Sequence, residues 1–140
     1  MLDAQDVNAL LVRAFPDRAP RGMARVVELE PGRARVVQAY EPTMLRPGPV
    51  ISGPTQMSLA DMAAYALVLG HIGEVLMAVT STLTMNFLRA APPADLWAEA
   101  QMLRLGRRNA VMDVRLWSES PERICAQAVV TYAIPQSASA

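Results

Sequence analysis

The sequence predicts an α+β domain in which an antiparallel sheet wraps around one long, buried helix. Residues 55–69 are apolar on nearly every side and contain neither proline nor glycine, as expected of a helix inside a core. The segments around it alternate apolar and polar residues, a pattern typical of strands. With 140 residues, 52% of them hydrophobic, the chain is long enough to bury a substantial core as a single domain, 1–140.

The first predicted element is a short amphipathic helix within residues 1–16. Apolar residues recur there at helical spacing, at Val7, Leu10, Leu11 and Ala14. Asp3 or Asp6 is suited to the N-cap, and the pattern ends near Pro16. This helix should pack one apolar face against the rest of the domain.

Two strands are predicted next, at 25–30 and 33–40, joined by a turn at Pro31 and Gly32. The proline- and glycine-rich segment 46–49 is predicted to be a connector. The central helix is then expected over 54–70, with Gly70 marking its C-terminal end.

Four further strands are predicted, at 79–89, 96–103, 111–117 and 124–134. The last three are separated by the segments 106–109 and 118–121, which are short enough to be antiparallel hairpin connections. Simple alternation puts Thr80, Thr82, Thr84 and Asn86 on one face of the first of them. Its other face then carries Val79, Leu83, Met85 and Phe87. The last residues, 136–140, have nothing to bury and are predicted to be a disordered tail.

Charge and composition exclude several classes of function. Thirteen basic and thirteen acidic residues give no net charge, so no long-range field collects nucleic acid or an anionic membrane. One cysteine, Cys125, and one histidine, His71, argue against a disulfide framework and against a metal site. The first residues lack the positive charge of a signal peptide, and no apolar run approaches the length that spans a bilayer. We therefore expect a cytoplasmic protein.

Asp61 is the first candidate for chemistry. It is the one charged residue between Arg46 and Glu74, and it lies in the predicted buried helix. A carboxylate in apolar surroundings costs several kcal/mol unless it is hydrogen-bonded. Acids in such positions are enriched at functional sites. The alternative is a structural carboxylate that pairs with an arginine.

The turn before the helix, Ser52-Gly53-Pro54, is the second candidate. The first backbone N–H groups of a helix have no partner within the helix, so they can bind an anion or a developing oxyanion. Gly53 permits close approach, and Pro54 suits the first helical turn. A plain helix cap is the alternative.

The segment 46–63 resembles the loop and helix of hot-dog fold acyl-CoA thioesterases of the phenylacetic-acid-degradation type. In that family a His-Gly-Gly turn precedes, by nine residues, the aspartate of a Leu-Ala-Asp triplet. Ser52-Gly53-Pro54 stands at the same spacing from Leu59-Ala60-Asp61. Residues 79–91 are similar to the family's long strand, and 105–108 to its Gly-Arg-Arg hairpin. The resemblance extends over about residues 20–134.

This resemblance implies a homodimer, or a dimer of dimers, that hydrolyses a small or medium acyl-CoA and needs no cofactor beyond the coenzyme A of the substrate. The catalytic general base or nucleophile would be Asp61, and the oxyanion donor would be the Gly53 N–H. Thr80 or its neighbour would orient water. In the family, the turn and the carboxylate usually come from different protomers.

Two departures separate the sequence from the family pattern: Ser52 replaces the histidine, and Arg46 replaces an amide found in some members. Ser52 can still hydrogen-bond the loop or the substrate carbonyl, so it is a candidate catalytic residue. Arg46 and Pro54 are expected to contact the substrate.

Arginines are candidates for binding the phosphates of coenzyme A through charge-assisted hydrogen bonds. These are Arg107 and Arg108, with Arg89 and Arg104 as secondary candidates. Their alternative role is to keep a sheet edge soluble.

Two other functions stay open. A non-catalytic module that binds acyl-CoA or an acyl-carrier protein would keep the pocket and the dimer but lose hydrolysis. A hydratase or dehydratase of the same fold would need a histidine beside the acid. His71 is more simply a residue that caps the carbonyls at the helix end, and Cys125 a small buried filler.

Overall fold

A computed structural model describes residues 1–136 of the chain. Helix α2 (Gly53–Ile72) lies at its centre and packs against every strand of a six-stranded antiparallel sheet. The other elements are α1 (Ala4–Ala14), β1 (Arg25–Glu30), β2 (Arg33–Gln38), β3 (Leu45–Arg46), β4 (Val50–Ile51), β5 (Val79–Phe87), β6 (Leu96–Leu105), β7 (Asn109–Trp117) and β8 (Ala126–Ala133). The strand order is β1-β2-β6-β7-β8-β5, so the predicted α+β arrangement is confirmed.

Helix α2 begins one residue earlier and ends two residues later than predicted. Ser52 is its N-cap and accepts a hydrogen bond from the Thr55 N–H at 3.3 Å. At the other end, Gly73 has a φ of 85° and donates its N–H to the Leu69 carbonyl at 2.8 Å. The prediction that Gly70 ends the helix is therefore wrong. Gly70 instead allows close packing, because a Cβ there would lie 3.0 Å from the Leu29 side chain.

The core lies between α2 and the concave face of the sheet. Its largest fully buried side chains include Leu67, Leu69, Leu96, Met112 and Leu116. Helix α1 closes one side with Val7 and Leu11, and its N-cap is Asp3. The two-residue strands β3 and β4 flank the proline-rich connector as a separate hairpin. Such short strands leave no alternation in the sequence from which to predict them.

Strand β5 is one edge of the sheet, and most of its side chains are exposed. Leu83 and Met85 pack against the core as predicted, but Val79 is 56% and Phe87 51% exposed. A bulge at Ser81 breaks the alternation, because Thr80 pairs with Tyr132 while Thr82 pairs with the adjacent Thr131. Thr80 therefore faces α2 and not the opposite side with Thr82, which corrects the prediction.

The predicted tail, 136–140, falls outside the described residues except for Gln136. The side-chain amide of Gln136 donates to the carbonyls of Arg107 and Ile134, so this residue is anchored. Across the described part of the chain, neither helix combines the length and the apolar character needed to cross a bilayer.

Candidate active site

Asp61 lies where α2 passes the start of β5 and the end of β8. Its Oδ1 accepts hydrogen bonds from the Thr80 hydroxyl at 2.6 Å and from the Tyr132 hydroxyl at 2.8 Å. Both donors come from strands that are far from Asp61 in the sequence. The carboxylate is therefore held by side-chain hydroxyls, and within residues 1–136 no arginine lies within ion-pairing distance of it.

The two oxygens of Asp61 have different surroundings. Within the described residues, Oδ2 accepts no hydrogen bond, and it is not among the buried oxygens that lack a partner, so it reaches solvent. One oxygen thus orients the carboxylate while the other can take a proton from water. This division suits a general base.

Tyr132 is a part of the site that the sequence analysis missed. Its side chain is buried and stacks on Tyr65, with ring centroids 5.6 Å apart. Burial, and secondarily the negative charge of Asp61, raise the pKa of the Tyr132 hydroxyl. The phenol therefore stays protonated and donates to the carboxylate. In the sequence, Tyr132 alternates with Val130 on the inward-facing side of the predicted strand. This pattern could have indicated the contact, because a buried tyrosine hydroxyl needs a polar partner.

Asp61 is only partly buried, so the expectation of an acid enclosed in an apolar interior is corrected. It belongs to a row of solvent-facing residues on α2, with Pro54, Met57 and Ser58. These four positions lie on one face of the helix because they are three or four residues apart. On every other side the helix is covered by the sheet, by α1 or by loops.

Gly53 is the first residue of α2. Its N–H makes no hydrogen bond within residues 1–136, as expected for the first turn of a helix. The ring of Phe87 packs directly on it, since a Cβ at Gly53 would lie 3.3 Å from Phe87 Cζ. A glycine at this position therefore keeps both the close contact and an available donor.

Ser52 is occupied by its role as the N-cap. Its hydroxyl donates to Thr55 Oγ1 at 2.9 Å and accepts from the Thr55 N–H. His71 is distant in the fold, where its Nε2 accepts a hydrogen bond from the Gly32 N–H at 3.0 Å. Among residues 1–136 it caps no helix carbonyl, which corrects the prediction, and it is not beside Asp61.

Gly53 and Asp61 cannot contact the same carbonyl group within one chain. Eight residues separate them along α2, which is about 12 Å at 1.5 Å per residue. Asp61 contacts Thr80 at the start of β5, whereas Gly53 contacts Phe87 at its end, and the seven residue steps between Thr80 and Phe87 span about 23 Å.

The predicted arginines are dispersed. Arg107 and Arg108 lie in the β6–β7 turn, at the Thr80 end of the sheet. Arg89 lies at the Phe87 end, where it lines a cavity of about 350 Å³ together with Arg123. Arg46 is exposed and donates to the Pro47 carbonyl at 3.1 Å. In one protomer these groups do not form a single cluster.

Cys125 also lines the cavity that contains Arg89 and Arg123. Burial raises the pKa of its thiol, and its Sγ lies 3.8 Å from Gln56 Oε1. The residue precedes β8, whose first residue is Ala126, so the predicted strand begins slightly later than expected. The prediction of a buried cysteine is confirmed.

Comparisons with known proteins define the class. Residues 48–125 match the family model of the thioesterase superfamily. A candidate thioesterase from Silicibacter sp. is 36% identical, with a TM-score of 0.87, over 97% of this chain and 94% of that one. No curated protein matches the sequence. The chain therefore belongs to the thioesterase superfamily.

More distant solved structures share the fold. Zebra fish thioesterase superfamily member 2 is 20% identical, with a TM-score of 0.82, over 96% of this chain and all (100%) of that one. The PaaI protein from the phenylacetic acid degradation operon of E. coli is 22% identical, with a TM-score of 0.78, over 95% and 96% of the two chains. The predicted hot-dog fold is confirmed, with α2 as its central helix.

Proposed function

We propose that the protein hydrolyses the thioester of an acyl-CoA, with Asp61 as the general base and the Gly53 N–H as the oxyanion donor. The hydrogen bonding of Asp61 carries this proposal. The Thr80 and Tyr132 hydroxyls hold Oδ1, and within residues 1–136 Oδ2 has no partner, so it is available to water. Membership of the thioesterase superfamily supports the same reaction.

The site needs a second copy of the chain, because Gly53 and Asp61 are too far apart in one. The two sheet edges differ in a way that favours pairing through β5. Edge strand β1 carries Arg25, Glu28 and Glu30, and a bulge between Val26 and Glu28, all of which disfavour pairing with another strand. Strand β5 has the sequence VTSTLTMNF, without a charge, a proline or a glycine.

Antiparallel pairing of β5 with its copy would complete the site. Thr80 and Phe87 lie near opposite ends of the strand, so a two-fold axis between them brings the Thr80 end of one protomer to the Phe87 end of the other. Asp61 would then face the Gly53 of the second protomer. The same pairing would also cover the exposed apolar side chains of Met57, Val79 and Phe87.

The reaction follows from these positions. The thioester carbonyl oxygen would accept a hydrogen bond from the Gly53 N–H, next to the positive end of the α2 dipole. Water attacks the carbonyl carbon while Asp61 Oδ2 accepts its proton, and the C–S bond breaks. The leaving thiolate takes the proton back from Asp61, which releases the acid and coenzyme A. Direct attack by Asp61 on the carbonyl is the alternative: it would expel the thiolate and form a mixed anhydride. Water attack on the Asp61 carbonyl carbon of that anhydride would place ¹⁸O from labelled water in the Asp61 carboxylate.

Asp61→Asn tests the proposal, because it keeps the shape and the acceptor of the side chain but removes the base. We expect kcat on acyl-CoA substrates to fall by about 100-fold or more. The assay follows the free thiol of coenzyme A, and circular dichroism verifies that the variant is folded. Asp17→Asn, at an exposed aspartate outside the site, is the matched control. Hydrolysis by Asp61→Asn at the wild-type rate would contradict the proposal.

The non-catalytic alternative has one observation in its favour: the Ser52 hydroxyl is bound to Thr55 and cannot replace an imidazole. A wild-type protein that binds acyl-CoA in calorimetry but releases no thiol would support this alternative. Acyl-carrier protein as the carrier would be tested in the same assay.

A further inference from the structure

A cavity of about 450 Å³ flanks the exposed row of α2. On the α2 side, the residues that line the cavity include Pro54, Ser58 and Met62. Pro54 directly follows Gly53, and Met62 directly follows Asp61. The opposite wall is formed by residues 18 and 21–24 and by residues 38, 41, 43 and 44. The cavity therefore adjoins the helix residues next to Gly53 and Asp61, which do not themselves line it, and its volume is in the range of small-molecule sites.

The lining of this cavity combines an apolar part with an excess of positive charge. Met23, Met44, Leu59 and Met62 supply adaptable apolar surface. Two arginines, Arg18 and Arg21, and one acid, Glu41, also line it, so the lining carries one net positive charge.

The two arginines are not equivalent. Arg18 is tied to the protein, because its guanidinium donates to Ser58 Oγ at 3.2 Å and lies 5.3 Å from the centre of the Phe15 ring. Arg21 ends the short 3₁₀ helix Ala19–Arg21. Among the described residues, its guanidinium has neither an ion pair nor a side-chain hydrogen-bond partner. It is therefore available to a ligand.

We propose that this cavity holds the acyl group of the substrate, and that Arg21 selects acyl groups that end in a carboxylate. The inference rests on the proposed function and adds a substrate class to it. The apolar surface accommodates the hydrocarbon part, and the guanidinium matches a carboxylate in shape and charge. A single anionic end neutralises the net charge of the lining.

The matched thioesters glutaryl-CoA and pentanoyl-CoA test the proposal, since they differ mainly in the terminal carboxylate. We expect the wild-type kcat/KM to be about tenfold or more higher for glutaryl-CoA, as a charge-assisted hydrogen bond provides. Arg21→Ala should lose this preference, because its kcat/KM for glutaryl-CoA falls by about tenfold or more and that for pentanoyl-CoA changes much less. Arg21→Glu should reverse it. Arg25→Ala, at an exposed arginine on β1, is the control and should keep the wild-type preference.

The phosphates of coenzyme A are the other anions that Arg21 could bind. In that case Arg21→Ala would lower kcat/KM for both CoA esters equally and would have no effect on the corresponding acyl-pantetheines, which lack phosphate. Either that result or equal wild-type rates on the two CoA esters would overturn the inference.

Binding measurements separate this inference from the proposed function. Calorimetry on Asp61→Asn gives the Kd values of both thioesters without turnover. A preference for glutaryl-CoA that depends on Arg21 would support the acyl pocket even if the wild-type protein proved unable to hydrolyse either ester. Equal Kd values would overturn the inference even if both esters were hydrolysed.

Discussion

The two halves of α2 differ in both composition and surroundings, since Thr, Gln, Ser and Asp all lie in the first half. In the first half, Pro54, Met57, Ser58 and Asp61 form a row that reaches solvent beside the unpaired edge of β5. In the second half, from Ala63 to Gly70, every residue is buried. Coverage and residue type together separate the half proposed to act on substrate from the half that holds the domain together. Substitutions in the first half should therefore change activity, and those in the second half should change stability.

The largest effect on activity in the first half, apart from that of Asp61, is expected at Gly53. Gly53→Pro removes the N–H and should lower kcat by about 100-fold or more, as loss of an oxyanion donor does. Gly53→Ala is the matched control, because it makes the same 3.3 Å contact with Phe87 but keeps the N–H. If both variants lost activity equally in thiol-release assays, the contact with Phe87 and not the donor would be responsible.

In the second half, Leu67→Ala should destabilise the domain by about 2–5 kcal/mol, because the side chain is fully buried and leaves a cavity. Urea denaturation measures this loss. Below the unfolding transition, kcat should stay within about twofold of the wild-type value, since Leu67 is buried in the core about 9 Å beyond Asp61 along α2. A large fall in kcat for a fully folded variant would remove the distinction between the halves.

The hydroxyls that hold Asp61 should have an intermediate effect. Tyr132→Phe removes one of two donors to Oδ1 and should cost about 1 kcal/mol of stability. We expect kcat to fall by about tenfold, because the carboxylate loses its orientation. Thr80→Val should act similarly, while Thr80→Ser keeps the hydroxyl and should retain activity. Unchanged kcat in both Tyr132→Phe and Thr80→Val would mean that these hydroxyls serve stability alone.

The smallest predicted effect concerns His71, at the end of the second half. Burial, and secondarily the positive charge of the N-terminus, lower the pKa of His71, which accepts a hydrogen bond from Gly32 while neutral. As the pH falls below about 6.5, the unfolded chain binds a proton that the folded chain resists, so the free energy of unfolding decreases. The slope should stay below about 1.4 kcal/mol per pH unit. His71→Gln should reduce this dependence of the free energy of unfolding on pH, measured by urea titrations at pH 7.5, 6.5 and 5.5. An unchanged slope would mean that other groups cause the dependence.

Much of the fold was predictable because its signals are local. The all-round apolarity of 55–69 predicted α2, and alternation predicted the strands to within a few residues. Gly70 shows the limit: a glycine at a helix end and a glycine packed against Leu29 look alike in sequence. The bulge at Ser81 was not predictable either, because a bulge is defined by the register against β8.

The site was predictable only in part. Asp61, Gly53 and Thr80 were selected through spacing and resemblance, and the structure brings Thr80 against Asp61. Tyr132, and Arg21 of the proposed acyl cavity, were missed because they come from distant segments that meet α2 only after folding. The partial exposure of Asp61 was also hidden, since hydropathy indicates how apolar a helix is and not which side of it remains uncovered.

Complementation between two inactive variants tests most directly whether each site combines Asp61 of one protomer with Gly53 of another. Asp61→Asn and Gly53→Pro should each be inactive alone. When they are coexpressed, half of the dimers are mixed and each has one intact site, so the preparation should recover about a quarter of the wild-type activity. If the coexpressed proteins formed mixed dimers but recovered no activity, the shared site would be contradicted.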